Sequence, residues 1–311
     1  MRNSSFPPQA RLYLRFVVSQ LPTSAPAAGR SWLRRLLDAV LYSSGWLAGA
    51  AAAQTAATFR RWPAAGWSAS HSRVVMLVFA ATLLVYNLDA VLPFKHGQPA
   101  GTSGRKAWQQ RHRRLLAGVA GVAALVGGYL FLADGWWRYL LALLPLAALA
   151  LLYSWPLGRW GGQPRALREV PLLKIFLIAG VWSAITVGLP TLALHRPLAE
   201  ALGLLGQRFC LVLALAIVFD IRDLSRDRAA GTRTFPVVLG LGGAKTVALT
   251  FLAGAMLLGF ERGVPPLGLA LTALAAASVI LLADERRSDY FFAFWADGVL
   301  LVPAMLYFVT S

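Results

Sequence analysis

The chain has 311 residues, 58% of them hydrophobic, and a mean hydropathy of +0.60. Only 14% are charged, against roughly 25% in soluble domains, yet 30 Lys and Arg stand against 13 Asp and Glu, for a net charge of +17. A water-soluble fold of this length cannot hide so much apolar surface, and bases scattered between apolar runs, 4 of them Lys, exclude a nucleic-acid module. The composition is that of a polytopic membrane protein with basic loops. The single cysteine, Cys210, lies in an apolar run, so there is no disulfide framework.

The first thirty residues divide two readings. Leu12–Leu21 is apolar but broken by Arg15, and Ala25–Ala28 resembles the small-residue end of a signal peptide. The short, broken run favours a cytoplasmic tail over residues 1–30, followed by one membrane domain over 31–311.

A membrane helix needs about 20 apolar residues. Nine runs qualify as expected spans: Tyr42–Phe59, Val74–Leu92, Leu115–Leu132, Arg138–Tyr153, Leu172–Leu194, Leu202–Ile221, Gly243–Phe260, Pro265–Ala283 and Phe291–Thr310. The fourth contains Pro145 and is flanked by Trp136, Trp137, Trp155 and Trp160, an interfacial aromatic pattern. With nine spans, 21 Lys and Arg fall on one side and 6 on the other. The positive-inside rule then puts the N-terminus in the cytoplasm and the C-terminus outside, as in a bacterial inner membrane.

Three of the 13 acids, Asp220, Asp223 and Asp227, fall within FDIRDLSRD where the sixth span ends. On a continuous helix, offsets of three and seven residues place them within an arc of about 60°. Such carboxylates repel one another and call for a cation. Mg²⁺ is held by one or two carboxylates together with substrate phosphates, so the cluster reads as a Mg²⁺–diphosphate site. Arg222, Arg226 and Arg228 interleave with the acids, which leaves a self-paired, solvated charge run as the alternative. Gly231, Thr234, Pro236 and Gly240 then punctuate a structured return to the seventh span.

FDIRDLSRDRAAGTRTFPVVLG resembles the second aspartate motif of the UbiA superfamily of intramembrane prenyltransferases, D-x-x-D-x-x-x-D followed by G-x-x-T-x-P. The resemblance implies an all-α bundle of about nine transmembrane helices around a central cavity. It also implies transfer of a polyprenyl group from its diphosphate to an aromatic or lipid acceptor. Asp220, Asp223 and Asp227 would be the catalytic and Mg²⁺-binding residues, with Asn87, Lys95, Tyr153, Arg159 and Lys174 around the diphosphate. Membrane lipids would be the surrounding partners, and nothing in the sequence sets an oligomeric state.

Two departures stand out. In the family's first motif, N-D-x-x-D-x-x-x-D, Asn87 fits, but Leu88, Val91 and Lys95 replace the acids and Asp89 is out of register by one. In Y-x-x-x-K, Tyr153 fits, Leu157 replaces the lysine and Arg159 lies two residues on. Lys95, with Arg159 or Arg105, would supply a fixed positive charge where a second metal would sit; the alternative is a snorkelling interfacial base. The lost acids also leave open a relative that binds prenyl lipid without transfer. A transporter ranks last, since most ionisable groups sit at span ends.

Asp297, inside the ninth span, is either a cavity-lining group or a residue hydrogen-bonded to a neighbouring helix near the interface. His71, His96, His112 and His195 are scattered through expected loops without metal-ligand spacing. The basic loop Lys95–Arg114, with its GQPAGTSG stretch, suits anionic headgroups or a lid over the cavity mouth.

Overall fold

In hydrocarbon every backbone N–H and C=O must find a partner within the chain, so long apolar runs resolve as helices. The computed structural model describes residues 31–62, 67–92, 103–152, 156–160, 163–166, 170, 172–261 and 264–309. Met1–Leu37 and Asp38–Ser311 form separate compact units, and Ser31–Leu37 is the described part of the first.

The elements run α1 (Trp32–Tyr42), α2 (Gly45–Arg60), α3 (Ala69–Val91), α4 (Gly104–Arg111), α5 (Arg113–Ala133) and α6 (Leu140–Leu152). An antiparallel pair follows, β1 (Pro156–Trp160) and β2 (Gln163–Ala166). Then come α7 (Leu173–Ser183), a π-helical turn (Ala184–Gly188) and α8 (Leu189–Ala193), followed by α9 (Leu198–Arg222), α10 (Leu224–Ala229), α11 (Phe235–Glu261) and α12 (Pro266–Leu282). A π-helical segment (Phe291–Ala296) and α13 (Leu301–Val309) complete the order.

Among the described residues every expected span carries a helix. Five of these, α3, α5, Leu173–Ala193, α9 and α11, are long and apolar enough to cross a membrane, or six if α1 and α2 count as one bent span. The others are shorter: α6 has 13 residues, about 20 Å at ~1.5 Å per residue. One boundary differs clearly. The seventh span was expected from Gly243, but α11 starts at Phe235, because Gly240 (φ 72°, ψ 176°) joins a short helical turn to the long helix. Only glycine adopts that conformation without strain.

Lipid tails are as apolar as leucine, so helices in a bilayer associate through close packing more than through expulsion of water. The inner face of α11 accordingly repeats small residues, Ala244, Ala248 and Ala255, all fully buried, with α9 as its main partner. Buried hydroxyls turn back onto their own helices, as in Thr55 to Ala51 O and Thr82 to Val78 O, each at 2.8 Å.

The junction of α1 and α2 is set by Ser44 at φ 63° and held from α3. Asn87, 1% exposed, donates from Nδ2 to Ser43 O at 2.9 Å and to Leu83 O at 2.8 Å. Replacing Asn87 with Ala leaves a buried carbonyl short of its donor. The expected loss is about 1–3 kcal/mol, read as a lower thermal midpoint in detergent.

Candidate functional site

Because α3 and α9 end, and α4 and α7 begin, on the same side of the bundle, their polar termini converge there. They close the mouth of a cavity of about 2170 Å³. Its depth is apolar, with Leu77, Phe131, Ile178, Trp182 and Leu215 among the walls. Around the cavity, eight Lys and Arg side chains stand against six Asp and Glu, most of them toward the mouth.

The aspartate motif forms the core of this mouth, but not as one helix. α9 ends at Arg222, Asp223 is the non-helical joint (φ −94°, ψ 6°), and α10 restarts at Leu224. The arc expected for a continuous helix is therefore broken at Asp223, and the three acids take different partners. Asp220, on the last turn of α9, accepts from Lys174 Nζ at 2.8 Å. Asp223 accepts from Arg222 through Nε at 3.2 Å and Nη2 at 3.1 Å, and pairs with Arg226 Nη2 at 2.6 Å. Asp227 has Oδ2 buried with no hydrogen-bond partner among the described residues. Arg222 is further fixed over the Phe219 ring at 5.1 Å and the Phe292 ring at 5.7 Å.

The turn after α10 locks this geometry. Gly231, at φ 68°, donates to Arg228 O and Thr232 N donates to Asp227 O, the two bonds of a Schellman cap, which needs a left-handed residue here. Leu172 N then bonds Arg233 O at 3.2 Å, bringing the start of α7, and so Lys174, alongside the motif.

The connection 283–290 ties the remaining helices to the mouth with two carboxylates. Glu285 accepts from Ser225 N at 3.1 Å, at the start of α10. Asp289 accepts from Ser103 Oγ and from Arg105 N at 3.0 Å, at the start of α4. Each places negative charge on the positive end of a helix. Arg105 and Lys106 then line the cavity from α4.

The expected site residues separate accordingly. Asp223, Asp227 and Lys174 line the cavity, while Asp220 sits behind Lys174. Asn87 is turned away, onto the α1–α2 junction; its neighbour Asp89, one residue out of the family register, lines the cavity instead. Lys95 and Tyr153 lie outside the described residues, and Arg159 lies in β1, opposite Pro164. Among the described residues no three His, Cys, Asp or Glu side chains converge enough to hold a metal by themselves. Two residues escaped the pattern reading. Arg222 looked like one of several interleaved bases; the local signal was Phe219, one helical turn before it. Arg208, a base within apolar α9, is 7% exposed and donates from Nη1 to Thr186 Oγ1 at 3.2 Å.

Electrostatics divides the acids beyond the end of α9. Burial raises the Asp223 carboxyl, but Arg222 and Arg226 outweigh it and hold the group at about 2, below its ordinary 3.8. Burial raises Asp227 above the ordinary carboxylate value. A depressed carboxyl stabilises the fold above its unfolded value and loses that contribution as pH falls through its folded one. In EDTA at pH 7, Asp223→Asn is thus expected to cost about 2 kcal/mol. The gap in thermal midpoint to wild type should close as pH falls from 3.8 to about 2.

No curated protein matches the chain. Among solved structures, the apo structure of a UbiA homolog from Aeropyrum pernix K1 superposes with a TM-score of 0.58 at 20% identity, over 86% of this chain and 98% of that one. This likeness shows a shared fold. Residues 102–298 match the UbiA prenyltransferase family, a stretch that holds the whole aspartate motif and leaves out the divergent region around Asn87. On a match over well more than half its length, the chain belongs to the UbiA prenyltransferase family.

Proposed function

We propose that the protein is an intramembrane prenyltransferase that moves a polyprenyl group from its diphosphate to an aromatic or lipid acceptor. The observation that carries this reading is the cavity itself, an apolar chamber of about 2170 Å³ whose mouth gathers Lys174, Arg105, Arg226 and Arg233 beside Asp223 and Asp227. An isoprenoid tail fits the chamber and a diphosphate fits the mouth. Membership of a prenyltransferase family supports the same class of reaction.

The donor set suits Mg²⁺. Asp223 and Asp227 offer hard oxygens on the cavity wall, and the unsatisfied Asp227 Oδ2 is a buried anionic atom in need of a cation. Two carboxylates are enough when substrate phosphates complete the shell. Bound there, the ion would neutralise charge on the departing pyrophosphate. Asp220 would hold Lys174 toward the phosphates, and Arg105 and Arg226 would orient the head group. Lys95, Tyr153 and Arg159 complete the proposed head-group set, with Lys95 standing where the family's first motif carries an acid. Breaking the allylic C–O bond leaves a cation that Trp182 and Phe219 on the wall would stabilise. The basic end of the bundle would face the cytoplasm, a reading supported by the 21-to-6 distribution of bases across nine expected spans.

The test uses purified protein, geranylgeranyl diphosphate, Mg²⁺ and a lipid extract of the source membranes as acceptor, with release of pyrophosphate as the readout. Asp223→Ala should lower release by roughly 10²–10³-fold. Release unchanged in that variant rejects the assignment. In a parallel measurement, Mg²⁺ with inorganic pyrophosphate should raise the thermal midpoint of wild type and leave that of Asp227→Asn unmoved.

A further inference from the structure

Prenyl transfer leaves one chemical requirement that the aspartate motif does not meet. When an acceptor carbon or oxygen attacks the allylic cation, the acceptor must shed a proton inside an apolar chamber. Most acids on the cavity wall are engaged elsewhere: Asp223 by two guanidiniums and the proposed metal, Glu285 by Ser225 and Asp289 by the start of α4. Asp89 has interactions of its own, and Asp227 belongs to the proposed metal.

Asp297 differs from all of these. It lines the cavity from the last span, is 7% exposed, and makes no side-chain hydrogen bond or ion pair with any described residue. It follows Asp289 by eight residues and so lies roughly 10 Å deeper than the mouth. The segment leading to it, Phe291–Ala296, is π-helical, a local widening that recurs at functional sites because it re-aims the next side chain. Arg105, Arg222 and Tyr86 act on Asp297 electrostatically. Tyr86 Oη accepts from Trp182 Nε1 at 3.2 Å, so its own hydrogen is free to donate into the same space, and both rings line the cavity. A carboxylate set this far into a membrane bundle is costly and needs a use.

We propose that Asp297 is the acceptor-side catalytic base, a role that rests on the prenyltransferase reading above. The allylic C–O bond breaks and its electron pair leaves with pyrophosphate. The acceptor's electron pair forms the new bond to the prenyl carbon, and the acceptor's proton passes to an Asp297 carboxylate oxygen. Tyr86 and Trp182 form the wall against which the acceptor lies.

The experiment compares wild type, Asp297→Asn and Asp297→Glu in detergent. Geranylgeranyl diphosphate affinity is measured alone. Transfer of radiolabel from it is then measured with Mg²⁺ and a lipid extract of the source membranes as acceptor. Asp297→Asn should bind the diphosphate within about twofold of wild type and lose transfer by roughly 10²–10⁴-fold, with partial recovery in Asp297→Glu. Transfer at the wild-type rate in Asp297→Asn overturns the assignment and leaves the prenyltransferase reading intact. Loss of diphosphate affinity in parallel with transfer also overturns it, since the residue would then serve the head group or the fold. Wild-type protein that binds geranylgeranyl diphosphate and transfers nothing overturns both.

Discussion

A carboxylate at the end of an apolar helix, next to a bilayer, is tolerable only if a cation meets it on the spot. At the end of α9 this requirement shapes the surrounding chain. Arg222 closes on Asp223 in a two-point contact while its other face rests on Phe219 and Phe292, and Arg226 reaches back from α10 to the same carboxylate. The helix breaks at Asp223 and restarts as α10, and Gly231 then turns the chain toward α11. Lys174 arrives on Asp220 because the same turn hydrogen-bonds Leu172.

Around that centre the mouth is assembled from ends of elements far apart in sequence. The connection 283–290 supplies Glu285 to α10 and Asp289 to α4, so two short helices are fixed by the same eight residues. The result separates charge by depth. Bases and acids crowd the mouth, leucine and aromatic side chains line the chamber, and Asp297 is the exception set further in. A substrate with an anionic head and an isoprenoid tail matches that gradient, and the small-residue packing of α9 on α11 provides the rigid wall behind it.

Legibility followed the range of the forces. The helices were readable because hydropathy is local, and the aspartate motif because its spacing is contiguous. Asn87 shows the limit. It occupies the family's motif position, yet its amide is consumed by Ser43 O, a carbonyl 44 residues away. Asp89, which looked like a register error, reaches the cavity. Asp220 looked equivalent to Asp223 and Asp227, and only the arrival of Lys174 from α7 sets it apart. The two readings of Asp297 divided on whether the last span turned it to a neighbouring helix or to the chamber. The π-helical segment before it, invisible in composition, accompanies the second.

Composition and aspartate spacing alone therefore determined a helical membrane bundle with a carboxylate motif at the end of one helix, because apolar length acts through the bilayer without reference to any partner residue. Tertiary structure decided which carboxylates remain available to a ligand. Each acid's state depends on whether a guanidinium, an ammonium or a helix terminus from a distant segment is packed against it, and in a low-dielectric setting that contact outweighs sequence neighbourhood.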